Sequence, residues 1–239
     1  MMYSNAVALN REQHSDLTIS PSPNGFRFAS DLLTVMLVTT EFYDAGRQFP
    51  IIFTILPDNT VQPVALLGFE EGENLFVDDE GKWTGRYIPA YFRRYPFITT
   101  DETAEGQAVV CFDETYDGFN LEGGISLFEN GEATTKTIEI QNFLQGYLQQ
   151  LKLTRAFGAT LLEKGLLREI SAQANLVDGR TYGLNGMQVV DEQKLAELSE
   201  DEVVQMFKDG SLPLIYAHLL SLRNLQELVE RKATQTTVE

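Results

Sequence analysis

Residues 49–97 read FPIIFTILPDNTVQPVALLGFEEGENLFVDDEGKWTGRYIPAYFRRYPF, and this stretch decides the fold class. FPIIFTIL is a short β-branched and aromatic run, which predicts a strand. Pro50 is tolerated at its start, where a missing N–H costs little pairing. Pro57-Asp58-Asn59-Thr60 is turn chemistry, since proline presets φ and Asp and Asn tolerate tight backbone. VQPVALLGF then returns as the hairpin partner. NLFVDDEGKWTGRYI predicts a second hairpin with Asp79-Glu80-Gly81 at its tip. In YIPAYFRRYPF, Pro89 suits the start of one or two helical turns, and pre-proline Ile88 and Tyr95 lean toward extended backbone.

Outward from there, residues 1–23 are polar and loop-like, and Pro21, Pro23 and Gly25 act as breakers. DLLTVMLVTTEF (31–42) predicts a strand. Downstream, QAVVCFDE and GISLF continue the β pattern, with Asn130-Gly131 as a turn. The period then changes: apolar residues at 140, 143, 144, 147, 148, 151, 157, 161 and 162 predict a long helix ending at Gly165. Residues 166–190 predict a hairpin turning at Asp178-Gly179. Ser199 and Glu202 have capping-box spacing, and Pro213 opens a final helix over 212–232. The expected architecture is α+β, β-rich first and helical later. It comprises a polar N-terminal arm (1–23), a single compact domain (24–232) and a frayed tail (233–239).

With 239 residues the chain can bury a large core without disulfides or metal. Its net charge of −17 disfavours nucleic acid and anionic membrane surfaces. The single cysteine, Cys111 in AVVCF, reads as a core thiol and fits a reducing compartment. Only two histidines argue against a Cys/His metal site. No basic-then-apolar leader opens the sequence, and no apolar run approaches the roughly 20 residues that span a bilayer. The expected location is the cytoplasm, with the cell surface reachable only by signal-independent export.

Motifs for phosphate loops, dinucleotide folds, serine hydrolases and zinc proteases are missing. Asp78-Asp79-Glu80-Gly81 fails as a calcium loop, because the first ligand position falls on Phe76. Neither metal nor cofactor is expected. Three constellations remain. Arg86, Tyr87, Tyr91, Arg93, Arg94 and Tyr95 could bind a carboxylate or phosphate, since guanidinium forks grip anions and stack on aromatic rings. The competing reading is an ion-pair hub neutralised by Glu70, Glu71, Glu73, Asp78 and Asp79. Asp113, Glu114 and Asp117 end a strand and could serve as acid/base groups or as a solvated turn. His218 falls in line with Ile215, Leu222, Leu225 and Val229, the buried stripe of the last helix, and reads as a core histidine or a base. Tyr216 and Ser221 are its candidate partners.

PVALLGFEEGENLFVDDEGKW, GRYIPAYFRRYPF and LPLIYAHLLSL together resemble the SapC-like family of bacterial proteins, from about Asn24 to Leu228. RYIPAYFRRYPF carries most of the likeness, and residues 183–222 are similar to the family's C-terminal pattern. The resemblance implies an association with surface-layer proteins, and an accessory role beside outer-membrane nutrient receptors and flavin-dependent halogenases. It implies no catalytic or binding residues. Three functions stay open. The first is an accessory protein presenting the Tyr/Arg cluster to a small anionic ligand or a protein partner. The second is an enzyme holding an anionic substrate on Arg93 or Arg94, with His218, Asp113 or Glu114 moving protons. The third is a surface-layer structural protein.

Overall fold

The computed structural model describes residues 2–100, 108–175 and 179–236. The N-terminal segment supplies β1 (Ala6–Ala8) and β2 (Thr18–Ile19), so residues 1–23 enter sheets rather than trail as an arm. After a 3-10 turn at Arg27–Ala29 comes β3 (Thr34–Met36). The strand expected over 31–42 stops there because Glu41 Oε2 accepts the Val38 N–H at 3.0 Å and curls the chain. A 3-10 turn, Thr39–Glu41, then runs into α1 (Phe42–Ala45).

β4 (Ile51–Ile55) and β5 (Val61–Leu66) form the expected hairpin. Asp58 Oδ1 accepts from Thr60 N at 2.9 Å in its turn. Every residue of β5 is buried, which is unusual for a strand containing Pro63. Leu37 N donates to Pro63 O at 3.0 Å, but proline has no N–H to return the bond. The buried Gln62 amide replaces it, with Nε2 donating to Leu37 O at 3.2 Å. The second expected hairpin shrinks to one bridge, Val77↔Trp83. Asp78 Oδ1 closes its turn by accepting from Lys82 N at 2.8 Å. Gly81 sits at φ +83°, and a Cβ there would strike the Asn24 carbonyl.

α2 (Ala90–Arg93) follows Pro89, then β6 (Phe97–Thr99), β7 (Val110–Asp113), β8 (Ile125–Ser126), β9 (Phe128–Glu129) and β10 (Glu132–Ala133). Asn130 and Gly131, both at positive φ, turn between β9 and β10 as expected. α3 (Thr135–Glu163) ends in a Schellman motif: Leu166 N donates to Leu161 O and Gly165 N to Leu162 O, with Gly165 at φ +62°. β11 (Leu167–Asn175) and β12 (Thr181–Val190) pair antiparallel, while Asp178 of the expected turn lies outside the described residues.

α4 (Glu192–Ala196), α5 (Glu200–Lys208), α6 (Ser211–Ser221) and α7 (Asn224–Thr236) complete the chain. Ser199 and Glu202 form the expected capping box on α5. The helix expected over 212–232 breaks at Leu222 and Arg223. Ser221 Oγ donates back to His218 O at 2.5 Å, a side-chain bond that competes with the helical ladder. α7 also continues to Thr236, beyond the expected start of fraying.

Strands thus concentrate in the first half and helices in the second, giving an α+β fold. The described contacts group into two compact units, each assembled from three separate segments. Unit 1 comprises Met1–Ala29, Val77–Trp83 and Tyr91–Gln149; unit 2 comprises Ser30–Phe76, Thr84–Ala90 and Gln150–Glu239. Unit 1 holds the sheet β1-β7-β6 and two small ribbons, β10-β9 and β2-β8. Its core is Phe97, Phe112, Leu127, Phe128 and Leu144. Unit 2 is built on the antiparallel sheet β11-β12-β4-β5-β3, with Phe42, Phe49, Ile51, Phe53 and Leu66 sealed in its core.

Candidate functional site

The six residues singled out around YIPAYFRRYPF divide between the units, because the chain passes from unit 2 to unit 1 after Ala90. In unit 2, Arg86 and Tyr87 are fixed through their backbone, both N–H groups donating to Gln48 Oε1 at 2.8 and 3.1 Å. The buried Glu41 carboxylate anchors the same piece, with Oε1 accepting from Tyr87 Oη and Ala90 N, each at 2.7 Å. Arg86 and Tyr87 line a hollow of about 170 Å³ with Asp44, Arg47 and Gln48.

In unit 1, Arg94 is buried in a cage of aromatic faces. Its guanidinium carbon lies 4.1 Å from the Tyr91 ring centroid, 5.1 Å from Tyr147 and 5.8 Å from Tyr3. Cation–π contacts of this kind are worth about 2 kcal/mol when desolvated. No carboxylate pairs with Arg94 among the described residues, and its Nε has no hydrogen-bond acceptor there. Burial pushes the Tyr3 phenol above its ordinary pKa despite the Arg94 charge, and Tyr3 Oη donates to Phe97 O at 2.8 Å. Tyr95 stacks on Phe28 at 4.2 Å, and burial followed by the charges of Asp113 and Asp117 pushes its pKa up to about 12. Both phenols remain neutral at physiological pH.

Beside this cage runs a groove of about 360 Å³, lined by Arg93, Arg94, Phe97, Lys136, Glu139, Ile140, Phe143 and Leu144. Arg93 lies over the Phe143 ring at 5.4 Å. Lys136 makes a long 3.5 Å ion pair with Glu139, one turn along α3. The groove therefore combines three cations, one carboxylate and an apolar floor.

Three of the acids expected to neutralise the arginines have other partners. Glu70 and Glu73 both pair with Lys232, and Asp78 closes its own turn. The Asp79 carbonyl accepts from Arg27.

None of the proton-transfer candidates in unit 1 lines the groove. Asp113 is fully buried and accepts from Ser4 N, Asn5 N, Thr115 N and Thr115 Oγ1 at 2.8–3.1 Å. Burial alone would raise its pKa, but those bonds outweigh it and hold the carboxyl below the usual range. Glu114 accepts from Asn5 Nδ2 at 2.8 Å, and Asp117 from Asn24 Nδ2 at 2.6 Å.

His218 is sealed in the core of unit 2. Val190 N donates to its Nε2 at 3.1 Å, so the ring proton is on Nδ1 and is donated to Ile51 O at 2.8 Å. Burial pushes its pKa down to about 4, the Ile51 bond opposing. Its partners are strand backbone, not Tyr216, which is 53% exposed. Cys111, expected in the core, is only half-buried on β7, with its thiol pKa raised by burial. Among the described residues no group of three or more His, Cys, Asp or Glu side chains could hold a metal ion.

The model of the SapC family matches residues 9–228, almost the entire chain. The chain belongs to the SapC family. The match begins at residue 9 rather than near Asn24, so β2 falls within it and β1 ends just before it. No curated protein and no solved structure matches the chain. Family membership assigns no roles to residues, so the site rests on geometry alone.

Sequence reasoning missed Tyr3, Lys136, Glu139 and Glu41. Lys136 had a usable signal: with Ile140, Phe143, Leu144 and Tyr147 it lies at helical spacing, one cation at the end of an apolar stripe. Tyr3 had none, since only the folded chain brings residue 3 to residue 94.

Proposed function

We propose that this SapC-family chain is a binding or accessory protein whose groove in unit 1 receives the anionic group of a small ligand or a protein partner. The observation that carries this reading is Arg94: a buried guanidinium held by three phenol rings, without a carboxylate among the described residues, beside a groove that also presents Arg93 and Lys136. Buried charges are normally paired. Tyrosine rings stabilise the cation without neutralising it, so an anion entering the groove would complete its pairing. Catalysis on an Arg-anchored substrate has less support, because neither Asp113 nor Glu114 lines the groove and His218 is sealed in a core.

The test compares Arg94→Ala, Arg93→Ala and Lys136→Ala for thermal unfolding and for capture of anionic ligands or partners. The expected result is weakened binding in all three, with near-wild-type melting for the variants of exposed Arg93 and half-buried Lys136. Lower melting temperatures with undiminished binding would show the cluster to be a structural hub.

A further inference from the structure

Resting on the anion-receiving role of this groove, we infer that its ligand is a small molecule carrying one carboxylate on an apolar body, and that Glu139 competes with that carboxylate for Lys136. Four of the eight lining residues are apolar, and Phe97 and Leu144 belong to the core of unit 1. An apolar ligand body would extend that core, whereas a bare inorganic anion would leave the floor wet. The volume of about 360 Å³ is at the small end of ligand sites, enough for a ring or a short chain.

Charge points to a single anionic group. Arg94 and Lys136 against Glu139 leave one positive charge for a ligand to balance, on a chain whose net charge is −17. The first ligand charge is paired directly, while each additional one meets the chain's repulsion with fewer cations left. Stacking on Tyr91 occupies a face of the Arg94 guanidinium and its Nε is buried, so a carboxylate meets Arg94 only where that side chain lines the groove. The Lys136–Glu139 pair is long and solvent-exposed, with side chains 39% and 62% accessible, so its exchange for a ligand carboxylate costs little.

Calorimetric titration of the full chain at low salt tests this with 4-phenylbutyrate and octanoate, the neutral amide of 4-phenylbutyrate, and inorganic phosphate. The carboxylates should bind at least tenfold more tightly than the amide or phosphate. Glu139→Gln should tighten them three- to tenfold and Lys136→Gln should weaken them similarly; both substitutions are on the exposed helix surface and leave folding intact. Phosphate binding without carboxylate binding would overturn the ligand class while leaving an anion site standing. Equal binding of the amide would overturn charge recognition, and carboxylate affinity unmoved in Glu139→Gln would overturn the competition. Absence of binding by every anion would overturn both this inference and the function it rests on.

Discussion

His218 keeps both ring nitrogens on strand backbone, and that arrangement requires the neutral ring. Its folded pKa of about 4 lies below the ordinary 6.5, so the unfolded chain takes up this proton first as pH falls. The associated stability is present above about pH 6.5 and is lost progressively down to about pH 4, amounting to about 3 kcal/mol. Urea denaturation at pH 7.5 and pH 4.5 should therefore show a drop that is much smaller in His218→Gln, where no ring titrates. An equal drop in both would show that the ring does not govern it. Helical spacing placed Ile215 and His218 on a buried face, but Leu222, Leu225 and Val229 of the expected stripe are only half-buried, and the bonds to Ile51 and Val190 were not legible. Those partners come from strands far away in sequence. Arg94 shows the same limit, since its Tyr91 neighbour is local but Tyr3 and Tyr147 meet it only through folding.

Among the elements, α7 is fastened within unit 2 by Lys232, whose ammonium pairs with Glu70 and Glu73 and lies 4.3 Å from the Tyr182 ring centroid. The two carboxylates differ in worth. Glu70 is 53% exposed and screened by water, while Glu73 is 16% exposed and also accepts from Phe69 N at 2.8 Å. Glu73→Gln should cost about 2 kcal/mol in urea unfolding, against under about 1 kcal/mol for Glu70→Gln; equal losses would contradict this account. The hairpins at Asn59 and Asn130 and the end of α3 at Gly165 were readable because turn chemistry and a positive-φ glycine are local signals. The break between α6 and α7 was not readable. Apolar periodicity continues through Leu222 and Leu225, and the Ser221 back-bond that competes with the ladder depends on its place against β4.

For the molecule as a whole, the sequence carries its −17 charge without a linker or repeat, and the two units are interleaved along the chain. Interleaving explains why composition marks no boundary. It also explains why one continuous run, from Arg86 to Tyr95, contributes to two different hollows. Among the described residues no helix is long and apolar enough to cross a membrane. Three cations gathered at one groove on an acidic chain are what the proposed function depends on, and their attraction for an anion should weaken as salt screens it. Proton–nitrogen NMR of the arginine Nε–H groups during titration with 4-phenylbutyrate and then inorganic phosphate reads this directly. Saturable movement of the Arg93 and Arg94 signals with either anion, reduced at higher salt and requiring more ligand in Lys136→Ala, is the predicted result; signals that stay fixed with both anions, while the protein remains folded, would contradict it.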